Sequence, residues 1–323
     1  MKIRKNYHQF VLFGILCFFT LLMSVFVENF FTLTNISNIF RQQSMVAIAA
    51  AGATFVMITK GLDISVGSNL ALSGVVFALY VQRGGNIFVG LLLAVLCGAM
   101  VGLINGLLVE KARLNAVIAT LGTMYAIRGV AYLVSDGKAI VSGLPPSFVD
   151  IGRGFIGIIP LPVVIMAVVY ILFHFVLSRT LLGKYTYAIG GNRETAYLSG
   201  LPTRNVMITL FTITGALTGL SGVIMASRLG SGNPQIGQGF EFDVIIAVFL
   251  GGVSTSGGEG TMVGTLIGIM IVGVLSNGLN LLGVNPFFQY VIKGVILVVA
   301  VIVDMRLKGE GVASRKRGES VRG

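Results

Sequence analysis

Residues 261–292 read TMVGTLIGIMIVGVLSNGLNLLGVNPFFQYVI and contain no Asp, Glu, Lys or Arg. About 20 apolar residues in a helix, each rising about 1.5 Å, cross the ~30 Å hydrocarbon core of a bilayer. The stretch is too long for one helix, and it breaks at residues 282–286 (LGVNP), where Gly can end a helix and Pro cannot continue one. The pattern therefore predicts two membrane-spanning helices joined by a short turn.

Uncharged blocks of comparable length recur through the chain, at residues 10–27, 64–82, 84–109, 154–173 and 206–227. The composition agrees, with 55% hydrophobic and 11% charged residues and a mean hydropathy of +0.91. Helices of a soluble protein need a polar face toward water, so these blocks exclude a soluble fold. The sequence predicts an all-α, polytopic membrane helical bundle.

We predict about ten spans in a single membrane domain over residues 1–308, followed by a basic cytoplasmic tail over residues 309–323 that anionic lipid attracts. Spans two and eight are short and can be tilted, broken or partly buried in protein. Placing both termini in the cytoplasm puts most of the 23 basic residues inside, as the positive-inside rule requires. The spans are residues 10–27, 44–60, 64–82, 86–109, 114–135, 159–178, 206–227, 243–257, 261–281 and 287–304.

Two recurring features predict an internal repeat. Asp63 opens span three and Asp243 opens span eight, while Asn-Gly-Leu begins at Asn105 in span four and at Asn277 in span nine. The matched spans differ by five, so the two halves would cross the membrane in opposite orientations. Inverted repeats are typical of transporters, whose path lies between the halves. Chance similarity is the alternative, because the matches are short and the chain has 44 glycines.

The longest polar segment between spans, residues 179–205, contains signals for a short helix. Asn192 is a good N-cap, Glu194 suits the first turn, and Gly200 and Pro202 are typical stop signals. A helix of about two turns is not stable alone, so it must rest on another surface. That surface belongs either to the bundle itself or to a cytoplasmic partner.

Several segments together resemble the permease subunits of bacterial ABC sugar importers, most closely the ribose-type, monosaccharide branch. The likeness runs from about residue 29 to residue 304. The segments that carry it are residues 61–68 (GLDISVGS), 188–192 (AIGGN), 198–200 (LSG), 240–243 (FEFD), 263–268 (VGTLIG) and 277–284 (NGLNLLGV).

The resemblance implies a fold like that of type II ABC importer permeases in the bacterial inner membrane, with a second copy of the chain. A cytoplasmic ATP-binding subunit would drive transport, and an extracytoplasmic sugar-binding protein would deliver the sugar. The short helix would be the coupling helix that contacts the ATP-binding subunit. Its residues would include Asn192, Glu194, Ala196, Leu198 and Gly200.

Polar side chains in or beside the spans are candidates for lining the sugar path. Their neutral donors and acceptors suit sugar hydroxyls, although hydrogen bonds between helices are the structural alternative. For Asp63, the alternative is capping of span three through the N–H groups of Ser65 or Val66. Arg128 and Lys293 are costly within spans and are functional candidates unless they snorkel to the surface. The path candidates are Asp63, Asn69, Ser73, Asn105, Asn277 and Asn280.

Other functions find less support. The chain has no Gly-x-x-x-x-Gly-Lys-Ser/Thr loop, so ATP hydrolysis is expected in another chain, and we predict neither an enzyme nor a bound cofactor or metal. The net charge of +11 follows from topology, so nucleic acid is not an expected partner. An ion-coupled secondary transporter of a small polar solute is the alternative, but it calls for acidic residues in mid-span, whereas Asp63 and Asp243 are predicted at span ends.

Overall fold

The structure, a computed structural model, describes the backbone of residues 2–319 and the side chains of residues 9–302 and 304–306. This part of the chain is almost entirely helical, with one short hairpin, β1 (Phe155–Ile156) and β2 (Ile159–Pro160), and a 3-10 turn at Pro146–Val149. The helices are α1 (Lys2–Phe26), α2 (Leu33–Ile58), α3 (Val66–Gln82), α4 (Ile87–Glu110), α5 (Ala116–Val134), α6 (Asp150–Arg153), α7 (Leu161–Arg179), α8 (Leu181–Gly191), α9 (Arg193–Leu198), α10 (Thr203–Leu229), α11 (Phe240–Leu250), α12 (Met262–Leu281) and α13 (Pro286–Glu319).

Within the part of the chain that the structure describes, seven helices are long and apolar enough to cross a membrane: α1, α4, α5, α7, α10, α12 and α13. The predicted polytopic helical bundle is thus confirmed, whereas the count of ten stays a prediction. α2 is not among the seven, α3 is apolar but has only 17 residues, and α11 has 11 residues, which span only about 16 Å. α13 continues past residue 308 into the predicted tail, of which residues 320–323 lie outside the described residues. The domain boundary also stays a prediction.

Glycines allow α4 and α10 to pack with their backbones in contact. A Cβ atom on Gly102 of α4 would collide with the carbonyl oxygen of Phe211 in α10, and one on Gly215 of α10 would collide with that of Gly98. Such approach is how small residues stabilise helix pairs in membranes. The four-residue glycine spacing in span four therefore marks a helix–helix contact.

The connection from α10 to α11, residues 230–239, runs along α3 into the bundle. Gly232 lies against Ala78 near the end of α3, and Gly237 lies against Gly67 in its first turn, where a Cβ on Gly237 would be 2.6 Å from the Gly67 carbonyl oxygen. The two contact points on α3 are about 16 Å apart along the helix axis. α11 therefore begins beside the first turn of α3 rather than beside its last turn.

The packing of the helices follows the predicted repeat. α3 packs on α4 and α5, and α11 packs on α12 and α13 in the same order. Likewise α10 contacts α3 and α4, while α2 contacts α11 and α12. These corresponding contacts support the repeat; the opposite orientation of its two halves stays a prediction.

Reporter fusions test the predicted orientation. We expect green fluorescent protein fused after Lys5 or after Arg317 to fluoresce, because this reporter folds in the cytoplasm and basic termini are retained on that side of the membrane. Alkaline phosphatase fused at Gly154, between α6 and β1, should be active, because Gly154 is predicted to lie outside the cytoplasm. Opposite sidedness of the two termini would mean an odd number of spans and would overturn the ten-span topology.

Candidate functional site

α9 has the helix start and stop that the sequence predicts. The Asn192 side-chain oxygen accepts the Thr195 N–H at 2.9 Å, which caps the first turn. After six residues the chain turns at Gly200, whose φ of 81° is in the left-handed region that Gly adopts readily. The Gly200 N–H donates to the Tyr197 carbonyl oxygen at 2.9 Å, which closes the helix.

α9 is anchored on one face and open on the other. The Ala196 side chain is buried, whereas Tyr197 and Leu198 are 68% and 77% exposed. Adjacent large apolar side chains exposed on a short helix suit a protein contact. Glu194 and Gly200 are also exposed, so four of the five predicted coupling residues, Ala196 excepted, lie on accessible surface. Their role in coupling stays a prediction.

α8 connects α9 rigidly to the ends of α2 and α12. A Cβ on Gly190 would collide with the Ile58 carbonyl oxygen at the end of α2, and that oxygen accepts the Gly258 N–H at 2.8 Å. The Tyr187 hydroxyl donates to the Gly260 carbonyl oxygen at 2.8 Å. Burial raises the pKa of Tyr187 to about 12, so the phenol stays a donor at neutral pH.

An ion pair connects α9 to α4. Arg193 Nη2 lies 2.5 Å from Glu110 Oε2, and the Glu110 side chain is only 1% exposed at the end of α4. Glu110 was not among the residues predicted from the sequence, although a lone carboxylate at the end of an apolar span is a usable signal. On the other side, Asp304 of α13 accepts the Thr255 N–H and O–H at 3.1 and 2.7 Å. The segment around α9 is thus bonded to α4 and to residues 251–261, and it packs against the end of α2. Residues 251–261 in turn bond to α2 and α13.

Asp63 and Asn105 belong to one buried hydrogen-bond network. Asp63 Oδ1 accepts the N–H of Ser65 at 2.9 Å and its hydroxyl at 2.6 Å. The Asn105 amide donates to Ser65 Oγ at 2.8 Å, and Asn105 accepts the Thr123 hydroxyl at 2.7 Å. The predicted bond between Asp63 and the Ser65 N–H is therefore present, in a network that joins α3, α4 and α5.

Asn69 and Ser73 lie apart from that network. The Asn69 amide donates to the carbonyl oxygens of Gly98 and Gly215, both at 3.3 Å, and the Ser73 hydroxyl donates to Asn69 Oδ1 at 3.2 Å. Both side chains are fully buried. Asn69 therefore stabilises the point at which α4 and α10 are closest.

Asn277 and Asn280 lie in α12, apart from the two groups of side chains above. Asn277 and Asn35 exchange two amide hydrogen bonds of 2.9 Å, and the exposed Asn280 accepts the Gln289 amide at 2.8 Å. The structure thus divides the path candidates among separate contacts rather than joining them in one site. Asn105 and Asn277, matched in the repeat, have unlike partners. A role of any of the six in the path stays a prediction.

Arg128 and Lys293 both have partners within the bundle. Arg128 Nη1 donates to the carbonyl oxygens of Pro234 and Ile236 at 2.7 and 2.6 Å. Lys293 Nζ lies 2.6 Å from Asp243 Oδ1. Neither charge needs to reach the external surface to be satisfied. Among the described residues, no group of three or more His, Cys, Asp or Glu side chains is placed to hold a metal ion.

Comparison with known proteins gives consistent results. The family described as branched-chain amino acid transport system / permease component matches residues 35–301. The chain is 42% identical over 288 residues to the ribose import permease protein RbsC of Escherichia coli K12, covering 88% of this chain and 89% of that protein. It is 40% identical to RbsC of Bacillus subtilis, with the same coverage. It is 38% identical over 304 residues to the L-arabinose transport system permease protein AraH of Escherichia coli K12, covering 94% and 91%. No solved structure matches the chain.

Proposed function

The chain belongs to the branched-chain amino acid transport system / permease component family, and on that basis we propose that it is the membrane permease of an ATP-binding-cassette importer of monosaccharides. The observation that carries the proposal is α9, a capped helix with an exposed apolar face that an ion pair joins to α4. A surface with these properties can transmit movement from a cytoplasmic motor to the bundle. The relatives named as ribose and arabinose permeases cover nearly the whole chain, which supports a sugar as substrate.

The charges near the start of α11 also favour a sugar over an amino acid. The positive end of a helix dipole inside a transporter often binds a substrate carboxylate. In α11 that end already carries Glu241 and Asp243, and Glu241 accepts the Gly239 N–H at 3.2 Å. Asp243 is paired with Lys293, but the Glu241 carboxylate would repel the carboxylate of an amino acid, whereas a neutral sugar experiences no such repulsion.

In the proposed complex, the ATP-binding subunit contacts Tyr197 and Leu198 of α9 in the cytoplasm. A binding protein delivers the sugar from outside, and a second copy of the chain completes the permease in the bacterial inner membrane. Both termini are cytoplasmic, and the basic tail contacts anionic lipid. ATP hydrolysis takes place in the partner, so this chain is a transport subunit and needs no cofactor.

An ion-coupled secondary transporter is the second candidate function. One structural observation gives it more support than the sequence alone does. Because the chain runs along α3 before α11 begins, we propose that Glu241 and Asp243 lie within the bilayer rather than at a span end. Asp243 is paired with Lys293, which leaves Glu241 as the acidic group to couple to an ion. The energy source decides between the candidates: uptake of ribose or arabinose should require ATP and persist when ion gradients are collapsed.

A further inference from the structure

α5 and α13 carry similar short motifs. α5 contains Tyr-Ala-Ile-Arg-Gly-Val at residues 125–130, and α13 contains Tyr-Val-Ile-Lys-Gly-Val at residues 290–295. The cation of each motif bonds near the start of α11: Arg128 to Pro234 and Ile236 in the segment before the helix, and Lys293 to Asp243 in its first turn. The two helices therefore hold residues 234–243 from two sides.

Residues 232–239, which precede α11, are non-helical backbone at membrane depth. Residues 232–237 descend along α3 from Ala78 to Gly67, a distance of about 16 Å by helix rise. Non-helical backbone at such depth is tolerated only where protein buries it or where it lines a water-filled cavity. Gln235 and Gln238 of the segment have exposed side chains, so protein of this chain does not cover it fully. Amide side chains facing lipid would be costly, which favours a water-filled cavity.

Three exposed aromatic rings lie on the elements next to this segment. Tyr125, Phe242 and Tyr290 are 75%, 51% and 59% exposed. Tyr290 lies beside the segment, since a Cβ on Gly239 would be 3.5 Å from its Cε1 atom. Tyr125 is one helical turn before Arg128, whose guanidinium binds the same segment. Aromatic walls with a few convergent polar groups are typical of small-molecule sites.

The two cations beside this surface already have partners within the chain. Arg128 donates to two carbonyl oxygens and Lys293 is paired with Asp243, so both cations are used to hold the chain near the start of α11. The groups that remain available are neutral amides and aromatic rings. These groups suit a polar but uncharged molecule with hydroxyl groups on one side and C–H groups on the other, which is the chemistry of a monosaccharide.

We infer that Tyr125, Gln235, Gln238, Phe242 and Tyr290 form the wall of the translocation path that contacts the sugar. We call this set the aromatic–amide face. The inference rests on the proposed function and adds to it the place where the permease itself touches the solute. One chain supplies one wall, so the path is incomplete without the proposed second copy.

Thiol labelling tests whether the aromatic–amide face is accessible to water, independently of the substrate. In a chain with Cys17→Ala and Cys97→Ala, Gln238→Cys is compared with Val168→Cys, which is exposed on the apolar helix α7. A charged, membrane-impermeant methanethiosulfonate reacts with water-exposed thiolate, so we expect Gln238→Cys to react at least about tenfold faster. Equal rates would show that the face is covered by lipid or protein and would overturn the inference.

Transport by aromatic variants tests contact with the sugar. In the complex with its ATP-binding subunit and binding protein, Phe242→Ala should lower uptake at saturating sugar about tenfold, as loss of an aromatic contact predicts. ATP hydrolysis stimulated by the binding protein should persist, and Phe242→Tyr, which keeps an aromatic ring, should lower uptake less than Phe242→Ala. The control Phe175→Ala removes a comparably exposed ring from α7 and should have no effect.

The possible results distinguish failure of this inference from failure of the proposed function on which it rests. Normal uptake by Phe242→Ala in a complex that imports sugar with ATP would refute the aromatic–amide face and leave the importer intact. Absence of ATP-dependent sugar uptake in the unmodified complex would refute the proposed function, and with it the assignment of this face to a sugar. In that case labelling of Gln238→Cys would still decide whether the face lines a water-filled cavity.

Discussion

Leu198→Arg is expected to leave the chain in the membrane at its normal level and to abolish retention of the ATP-binding subunit. The side chain is 77% exposed on α9, outside every span, so insertion and packing of the bundle are not affected. Burying an unpaired guanidinium in an apolar contact costs several kcal/mol, which lowers affinity by more than about a hundredfold. Sugar uptake should be lost with the subunit. Detergent co-purification, immunoblotting of membranes and uptake assays measure the three effects.

A matched control, Leu229→Arg, makes the same substitution at the C-terminal end of α10. It adds a guanidinium at an exposed Leu that is predicted to lie on the external side of the membrane. It should retain the ATP-binding subunit fully. If Leu198→Arg also retains the subunit and still imports sugar, α9 is a surface helix that rests only on its own bundle, and the coupling role is wrong.

Gly102→Leu is expected to prevent accumulation of folded protein. Any Cβ at this position collides with the backbone carbonyl of Phe211, so α4 and α10 must separate and the Asn69 hydrogen bonds to Gly98 and Gly215 must lengthen. Overpacking of a tight contact costs about 1–3 kcal/mol or more when backbone has to move. Size-exclusion chromatography of a fluorescent fusion should show aggregate or no peak.

Gly14→Leu is the control for that substitution. It also replaces a helical glycine, in α1, but nothing lies within 4 Å of the added Cβ. Its fusion should run as a single peak at normal yield. A normal peak from Gly102→Leu would mean that α4 and α10 are not in backbone contact in the protein.

Features that depend on neighbouring residues were predictable from the sequence. The caps of α9 and the bond from the Ser65 N–H to Asp63 lie within a few residues of the chain, where local preferences decide the conformation. The break before Pro286 is local in the same way, because Gly283 has φ of 68°. The length of the uncharged stretches likewise predicted the spans that are single long helices.

Features set by tertiary packing were not predictable. Span eight was placed at residues 243–257, but the helix covers Phe240–Leu250, because the glycine-rich residues 251–261 are held by contacts with α2, α8 and α13. Residue type alone did not identify neighbours either: Asn105 bonds to Ser65, whereas Asn277 bonds to Asn35. Glu110 was missed because its partner Arg193 is distant in sequence.

The central claim is that ATP drives monosaccharide import through this chain. The most direct measurement uses proteoliposomes that contain the chain and its ATP-binding subunit, with ATP trapped in the lumen and the binding protein outside. Labelled ribose or arabinose should accumulate only when both ATP and the binding protein are present, and proton and sodium ionophores should not reduce it. Accumulation without ATP that collapses with an ionophore would contradict the account and identify an ion-coupled transporter.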